Sequence, residues 1–353
     1  MKKSEWENEV AVAMIDSAVP SEPRSAKASL PSRMVRLCLT LTTVLFIGLF
    51  VMLPLVNVFA QAFSKGLSGY VHTFYAASPP RGVILPIRQR LDMVRASSQA
   101  RRTRSAIAMT LVVGTTAVAF NAVFGLAAAW AVGKFRFRGK TLLTSLIDLP
   151  FSVSPVVSGL IFVLLFGREG VLGNWATHLK WPDPFSIYWR GFSGHIWPLG
   201  ASQELEGIIF TPLGIVLSTM FVTFPFVARA LIPLMESQGI EEEQAALSLG
   251  ASGWQTFRRV TLPNIRWALL YGIVLCTCRA YGEFGAVSVV SGSTDANDTM
   301  PLRVEKLWQG YNTQAAFAVA SLLASLALIT LLVKAAVDWR RARTVRGAGE
   351  VAS

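Results

Sequence analysis

Six long apolar blocks limit what this chain can fold into. They lie at about residues 35–59, 107–132, 146–166, 208–232, 268–291 and 315–337. A helix crosses a hydrocarbon core of about 30 Å with about 20 residues, and each block is long enough. The blocks lack the alternation of a β-barrel, so their backbone groups must pair within helices. We therefore predict an all-α, polytopic membrane protein with about six transmembrane helices.

The composition agrees with a chain surrounded by membrane lipids. Hydrophobic residues make up 52% of the sequence and charged residues 15%, with a mean hydropathy of +0.47. One soluble core does not bury that much apolar surface. Lipids are therefore expected partners, whereas nucleic acid is not.

Basic residues flank several blocks closely, as they do on the cytoplasmic side of membrane proteins. These residues are Arg33, Arg36, Lys134, Arg136, Arg138, Lys140, Arg258, Arg259, Arg266, Arg340, Arg341, Arg343 and Arg346. Because the number of blocks is even, both termini are predicted to be cytoplasmic. The predicted layout is a largely disordered tail at 1–34, a transmembrane domain at 35–337 and a basic tail at 338–353.

Two enlarged loops, near 63–105 and 167–207, fall on the outer side in this topology. The first is rich in arginine, which conflicts with the charge rule. Within it Ile84, Ile87, Leu91 and Val94 recur at helical spacing opposite Arg88 and Arg95, which predicts an interfacial amphipathic helix. Its basic face suits anionic headgroups, an acidic partner or an anion; a solvated surface helix is the alternative. The second loop carries an aromatic cluster that suits interfacial anchoring or contact with a partner.

A polar segment at 236–266 separates two apolar blocks and reads EQAALSLGASGWQTFRRVTLP at its centre. We predict a helix over about 240–249 that ends at Gly250, because glycine suits a left-handed helix terminus. A second helix is predicted from Ser252 or Gly253 until Pro263 stops it. The resulting elbow offers apolar anchors to a partner. Those anchors are Leu247, Leu249, Trp254 and Phe257. An ordinary amphipathic loop is the alternative.

Two further groups are candidates for a substrate pathway or its gating. Arg279 and Glu283 are four residues apart in an apolar block, and each charge costs about 2.5 to 3.5 kcal/mol at mid-bilayer, so they are expected to pair. Two roles are open for them: a part in the substrate pathway or its gating, or a structural ion pair. Ser152, Ser154 and Ser158 lie beside two prolines, where hydroxyls and freed N–H groups donate to a small anion. Small residues for helix packing are the alternative.

Signatures of catalysis are missing from the sequence. It contains no G-x-x-x-x-G-K-[ST] loop, no G-x-S-x-G turn and no H-E-x-x-H pair. We therefore expect no catalytic residues, no metal ligands and no cofactor bound by this chain. If the protein works through ATP and magnesium, another chain must hydrolyse the nucleotide.

The polar segment resembles the EAA-x3-G-x9-I-x-L-P motif of ABC-importer permeases. The strings LIDLPFSVSPVVSGLIFVLLFG, FVTFPFVARALIPLM, RAYGEFGAVSVVSG and YNTQAAFAVASLLA resemble sulfate/thiosulfate permeases of the CysW type. Together these strings extend over most of residues 37–337. The resemblance implies the molybdate/sulfate type of permease fold and uptake of sulfate, with thiosulfate, across a bacterial inner membrane.

The resemblance also implies partners: a T-type (also called U-type) permease sibling, a cytoplasmic ATPase dimer and a periplasmic sulfate/thiosulfate-binding protein. ATPase-coupling roles follow for Glu243, Gln244, Ala245, Ala246, Gly250, Val260, Leu262 and Pro263. Val260 stands where isoleucine is usual, and Gln244 stands where glutamate is usual. Glu243 is one residue earlier and points about 100° away on a helix, which leaves its ability to substitute open.

Two alternatives remain at this stage. A permease for a related oxyanion such as molybdate or tungstate would carry the same motifs. Alternatives from a different class are a membrane-embedded enzyme and a non-transport scaffold. An enzyme would show convergent His, Asp, Glu or Cys side chains in its spans. A scaffold would have no need of the elbow.

Overall fold

The computed structural model describes residues 33–76, 86–173, 175, 208–292 and 297–351. The predicted disordered tail before residue 33 lies outside these ranges, as do Ile84 and the aromatic cluster of the second loop. The described part is helical and has no strands.

Thirteen α-helices follow one another within the described ranges. They are α1 (Arg33–Ile47), α2 (Leu53–Ala62), α3 (Gly66–Phe74), α4 (Ile87–Lys134), α5 (Lys140–Ser152), α6 (Pro155–Phe166), α7 (Pro212–Ser237), α8 (Glu241–Ser248), α9 (Gly253–Thr256), α10 (Leu262–Tyr281), α11 (Gly285–Val290), α12 (Met300–Gln309) and α13 (Thr313–Val351). The chain divides into two compact units, Met1–Pro54 and Leu55–Ser353. In the first unit the described residues form an exposed apolar helix.

Five helical segments of the described chain are long and apolar enough to cross a membrane. They are Met34–Ala62, Ile87–Lys134, Pro212–Ser237, Gly253–Tyr281 and Thr313–Trp339. A sixth crossing is formed if α5 and α6, which meet at a bend of 109°, count as one span. The prediction of an all-α protein with about six spans is confirmed.

The structure adds detail to three of the predicted segments. The loop near 63–105 contains α3 and the first part of α4, which begins at Ile87 as one helix with the second span. The third block is interrupted at Val153 and Ser154, because Pro155 at the start of α6 has no N–H to continue the helical ladder. The fifth block is also broken, at Gly282.

Pro263 does not stop the helix of the elbow, contrary to the sequence prediction. A π-helical turn, Phe257–Thr261, joins α9 to α10, and the Leu262 N–H donates to the Phe257 carbonyl. The wider turn changes the pairing just before Pro263, which has no N–H to donate. The same arrangement occurs at Gly48–Met52, directly before Leu53 and Pro54.

Helices α4, α7 and α10 pack closely through small residues. A Cβ added at Gly125 would lie 2.8 Å from the Val227 Cβ, and one added at Gly272 would lie 3.2 Å from the Val227 Cα. Between these helices the buried Asn121 donates to the Met220 carbonyl at 3.1 Å and to the Thr223 hydroxyl at 2.8 Å. Close backbone approach and interhelical hydrogen bonds are the usual source of helix association in lipid.

Candidate functional site

The predicted two-helix elbow is present between α7 and α10. Helix α8 ends at Ser248, and Gly250 has a φ of +86°, the left-handed conformation that favours glycine. Helix α9 starts with a capping box in which the Ser252 N–H donates to Gln255 Oε1 at 2.9 Å and the Gln255 N–H donates to Ser252 Oγ at 3.3 Å. These local bonds define the corner of the elbow.

Glu243 holds the elbow to the end of α4. Its Oε1 lies 2.8 Å from Lys134 Nζ, and it accepts a hydrogen bond of 3.1 Å from the Thr261 hydroxyl. Lys134 Nζ also donates to the Gly239 carbonyl at 2.5 Å. The Lys134 and Glu243 side chains are 6% and 15% exposed, so this is a largely buried ion pair. Glu243 therefore faces inward.

Gln244 lies on the exposed side of α8. The helical offset that separates it from Glu243 places the two side chains in different surroundings. Glu243 is paired with Lys134, whereas Gln244 faces outward. The elbow therefore presents a neutral amide at that position.

The outward face of the elbow has a small apolar surface. Leu247 and Ala245 are exposed, Leu249 is 89% exposed and Trp254 is 68% exposed. Phe257, predicted as a fourth anchor, instead packs inward against Trp130 with ring centroids 4.9 Å apart. Of the remaining motif residues, Ala246, Val260 and Leu262 are half-buried, whereas Pro263 is exposed.

Arg279 and Glu283 form the expected ion pair, but they do so across the end of a helix. Helix α10 ends at Tyr281, and Glu283 lies beyond it. The Glu283 side chain is 1% exposed, and its Oε1 accepts the N–H of Ala286 at 3.0 Å. Glu283 thus links the end of α10 to the start of α11 at the break.

The two interrupted spans lie side by side. A Cβ added at Gly159 of α6 would come within 2.7 Å of the Ala286 carbonyl oxygen, and one added at Gly285 would come within 2.9 Å of the Pro155 Cβ. The N-terminal turn of α6 is therefore adjacent to the N-terminal turn of α11. Unwound backbone beside such helix ends is found in membrane proteins where it is buried in protein or lines a cavity.

The three predicted serines have different surroundings. Ser158 is buried, and its hydroxyl donates to the Ser154 carbonyl at 3.2 Å. Ser152 and Ser154 are exposed at the bend between α5 and α6. Ser152 and Ser154 therefore have accessible hydroxyls, whereas Ser158 does not.

Sequence reasoning missed an ion pair between two apolar blocks. Arg229 Nε of α7 lies 2.6 Å from Asp148 Oδ1 of α5, and the guanidinium stacks over Phe151 at 4.4 Å. The sequence does contain a signal for this pair, because each of the two apolar blocks holds a single charged residue and the two charges are opposite. Charges in lipid require partners.

A second missed cluster involves α12 and the residues just before it. Lys306 Nζ is 2.7 Å from the buried Asp298 Oδ1, and Arg303 Nε is 3.5 Å from Thr103 Oγ1 on α4. The Arg303 contact fastens α12 to α4, whereas the Lys306–Asp298 pair holds α12 to the residues just before it. Across the described ranges, no group of three or more His, Cys, Asp or Glu side chains is placed to hold a metal ion.

The described residues form a multi-pass helical membrane protein with an exposed elbow and two interrupted helices. Residues 121–345 match the family described as binding-protein-dependent transport system inner membrane component. The chain is 44% identical to the sulfate transport system permease protein CysW of Escherichia coli strain K12, over 84% of this chain and 86% of that protein. It is 34% identical to CysT of the same strain, over 69% and 79%.

A solved structure has the same fold. A chain of a bacterial alginate ABC transporter, crystallised with its pentasaccharide-bound periplasmic protein, superposes with a TM-score of 0.60 at 17% identity, over 85% of this chain and 92% of that chain. The present chain therefore belongs to the family of binding-protein-dependent transport system inner membrane components, and within it to the CysW-type sulfate permeases.

Proposed function

We propose that this chain is the W-type membrane subunit of an ATP-driven importer that carries sulfate, and also thiosulfate, across a bacterial inner membrane. The observation that carries the proposal is the 44% identity to a CysW sulfate permease over 84% of the chain. The lower identity to CysT supports the W-type assignment.

The proposed assembly contains a T-type permease sibling, two cytoplasmic ATPase subunits that use ATP and magnesium, and a periplasmic binding protein for sulfate and thiosulfate. The outward apolar face of the elbow is the proposed ATPase contact. The elbow and both termini are then cytoplasmic, which agrees with the basic residues near them.

A continuous helix explains how movement of the elbow reaches the pathway. The segment Gly253–Tyr281 has 29 residues, or about 44 Å of helix. It begins in the elbow and ends two residues before Glu283. Because a helix transmits displacement along its axis, a shift of the elbow moves the break beside α11. The Lys134–Glu243 pair carries the same shift into α4.

The pathway residues provide donors without a large net charge. Arg279 is balanced by Glu283, so the pair is a poor permanent anion site. Ser152, Ser154 and the backbone at the adjacent breaks provide hydroxyl and N–H donors that suit a tetrahedral oxyanion. Weak donors of this kind allow the anion to pass rather than remain bound.

Uptake of radiolabelled sulfate in cells lacking this subunit tests the proposal. Restoring the intact chain is expected to restore uptake, and excess thiosulfate is expected to suppress it whereas molybdate is not. Uptake that does not depend on the chain would contradict the proposal. Suppression by molybdate instead of thiosulfate would assign the chain to the related oxyanions.

A further inference from the structure

Helix α4 is much longer than a membrane requires. Its 48 residues extend about 72 Å, whereas the hydrocarbon core is about 30 Å thick. Its C-terminal end is fixed at the elbow by Lys134. Counting back about 20 residues from that end places the opposite edge of the core near Gly114. The first part of α4 therefore lies beyond the membrane, on the side away from the elbow.

We call residues 87–101 the basic arm. Its base is held firmly: Ala100 and Thr103 are buried, and the Gln99 side-chain oxygen accepts from Asn312 Nδ2 at 3.1 Å. Towards Ile87 the side chains become mostly exposed. The arm is a helix with a packed base and an exposed first part.

The free surface of the arm has a defined pattern. Ile87, Leu91 and Val94 fall on one stripe at 100° per residue and are 80%, 49% and 46% exposed. Arg88 and Arg95 flank the stripe on one side, and Arg90 and Arg101 flank it on the other. The arm carries these four arginines against one acidic residue, Asp92. It is an apolar stripe between two basic edges.

We propose that the basic arm is a docking element for the soluble substrate-binding protein, which would present an acidic rim around an apolar patch. This inference rests on the proposed function, which requires such a protein on the side away from the elbow. Complementary charge of this kind guides association and determines orientation. The matched family segment starts at residue 121, so the arm lies outside it.

Continuity of α4 favours a protein over the bilayer surface as the occupant. An interfacial helix lies in the plane of the membrane, which requires a bend between it and a transmembrane span. Helix α4 continues from Ile87 to Lys134 as one element. The arm therefore extends along the direction of the span into the aqueous compartment, where a soluble protein meets it.

Direct binding measurements test the arm. The assembled importer is placed in nanodiscs of zwitterionic lipid, and its binding protein loaded with sulfate is the probe. The triple change Arg88→Glu, Arg90→Glu and Arg95→Glu is expected to raise Kd about tenfold or more at low salt. This difference is expected to shrink as added salt screens the charges.

Two further variants separate charge from other effects. Arg136→Glu with Arg138→Glu is the matched control, because these exposed arginines lie in the loop at the elbow end of α4. Its Kd is expected to equal that of the wild type. Leu91→Ser is expected to weaken binding in a manner that salt does not remove.

An unchanged Kd in the triple variant would overturn the proposal. A defect that occurs only in nanodiscs with anionic lipid would also overturn it, and would assign the arm to headgroups. Loss of the sibling permease from the purified complex would overturn it in favour of a subunit contact. If the wild-type importer neither binds the sulfate-loaded protein nor restores sulfate uptake, the proposed function itself is wrong. If wild-type uptake is normal and the triple variant has an unchanged Kd, only the docking role of the basic arm is wrong.

Discussion

Lys134 and Glu243 join the end of the longest described helix to the first helix of the elbow through an ion pair of 2.8 Å. Both side chains are largely buried, so each charge depends on the other. The pair ties α8 to the end of α4.

Removing one partner of this pair should separate the elbow from the bundle. Glu243→Ala leaves the Lys134 charge in a desolvated position, and a loss of up to about 3 kcal/mol of folding stability is expected. ATP hydrolysis should then persist while sulfate uptake falls, measured in the same proteoliposomes. The exchange Lys134→Glu with Glu243→Lys should recover part of the uptake. Equal uptake in Glu243→Ala and the wild type would exclude a coupling role.

Gln244 lies at an exposed position of the elbow, where the effect of a substitution can be tested. Gln244→Glu should leave stability unchanged within about 0.5 kcal/mol, because the side chain faces solvent. It should strengthen association with the ATPase, measured as the amount retained on co-purification, since glutamate is usual there. Gln244→Ala is the control. If both variants retain the same amount of ATPase, the identity of this residue is unimportant.

The apolar face of the elbow should be required for ATPase binding and not for folding. Leu249→Asp is expected to abolish ATPase co-purification with little change in thermal stability, because this side chain is 89% exposed. Trp254→Ser is also expected to abolish it, with a small loss of stability because the Trp254 ring stacks on Phe257 with centroids 5.6 Å apart. Phe257→Ser is the contrasting variant and should lower stability, since this ring packs against Trp130. Retained ATPase in Leu249→Asp would place the contact elsewhere.

Exchanging the charges of Arg279 and Glu283 should fail to restore function. An arginine at position 283 cannot accept the Ala286 N–H that Glu283 accepts at 3.0 Å. The double variant is therefore expected to remain without uptake, whereas Glu283→Gln, which keeps an acceptor, should retain part of it. Sulfate uptake is measured for these two variants and for the wild type; full recovery in the exchange would show that charge pairing alone is needed.

Close packing of the interrupted helices can be tested with one methyl group. Gly159→Ala places a Cβ about 2.7 Å from the Ala286 carbonyl oxygen, and overpacking of this kind costs about 1 to 3 kcal/mol. Sulfate uptake should fall sharply, together with the thermal midpoint. Gly282→Ala is the control, because its Cβ would meet its neighbour at an ordinary 3.6 Å. The prediction is wrong if both variants behave alike.

The helical elbow was readable from sequence because its signals are local. Gly250 at a left-handed terminus and the Ser252 capping box depend on residues within one turn. The outward position of Leu249 and Trp254 was also predicted. Phe257 could not be assigned in this way, since its partner Trp130 is more than a hundred residues earlier.

The candidate pathway residues were identified by residue type, and the break beside the serines was predicted from Pro150 and Pro155, whereas the break before Glu283 was not predicted. A charged pair and a serine string in apolar blocks indicated special positions, and the structure places both at helix breaks. Contact between α6 and α11 depends on the close approach of Gly159 to Ala286. The periodicity of apolar residues does not predict which distant residues come together. Roles for the serines and the ion pair in transport stay predictions.

By itself the sequence determined that the chain is embedded in lipid, that it has about six helical spans and where the elbow lies, because apolar length, proline and glycine act within a short stretch of chain. Tertiary structure decided which side chains face inward. It turned Glu243 towards Lys134, joined Arg229 to Asp148, placed two broken spans together and extended α4 into the basic arm. Those outcomes depend on contacts between distant segments, where packing rather than local preference selects the partner.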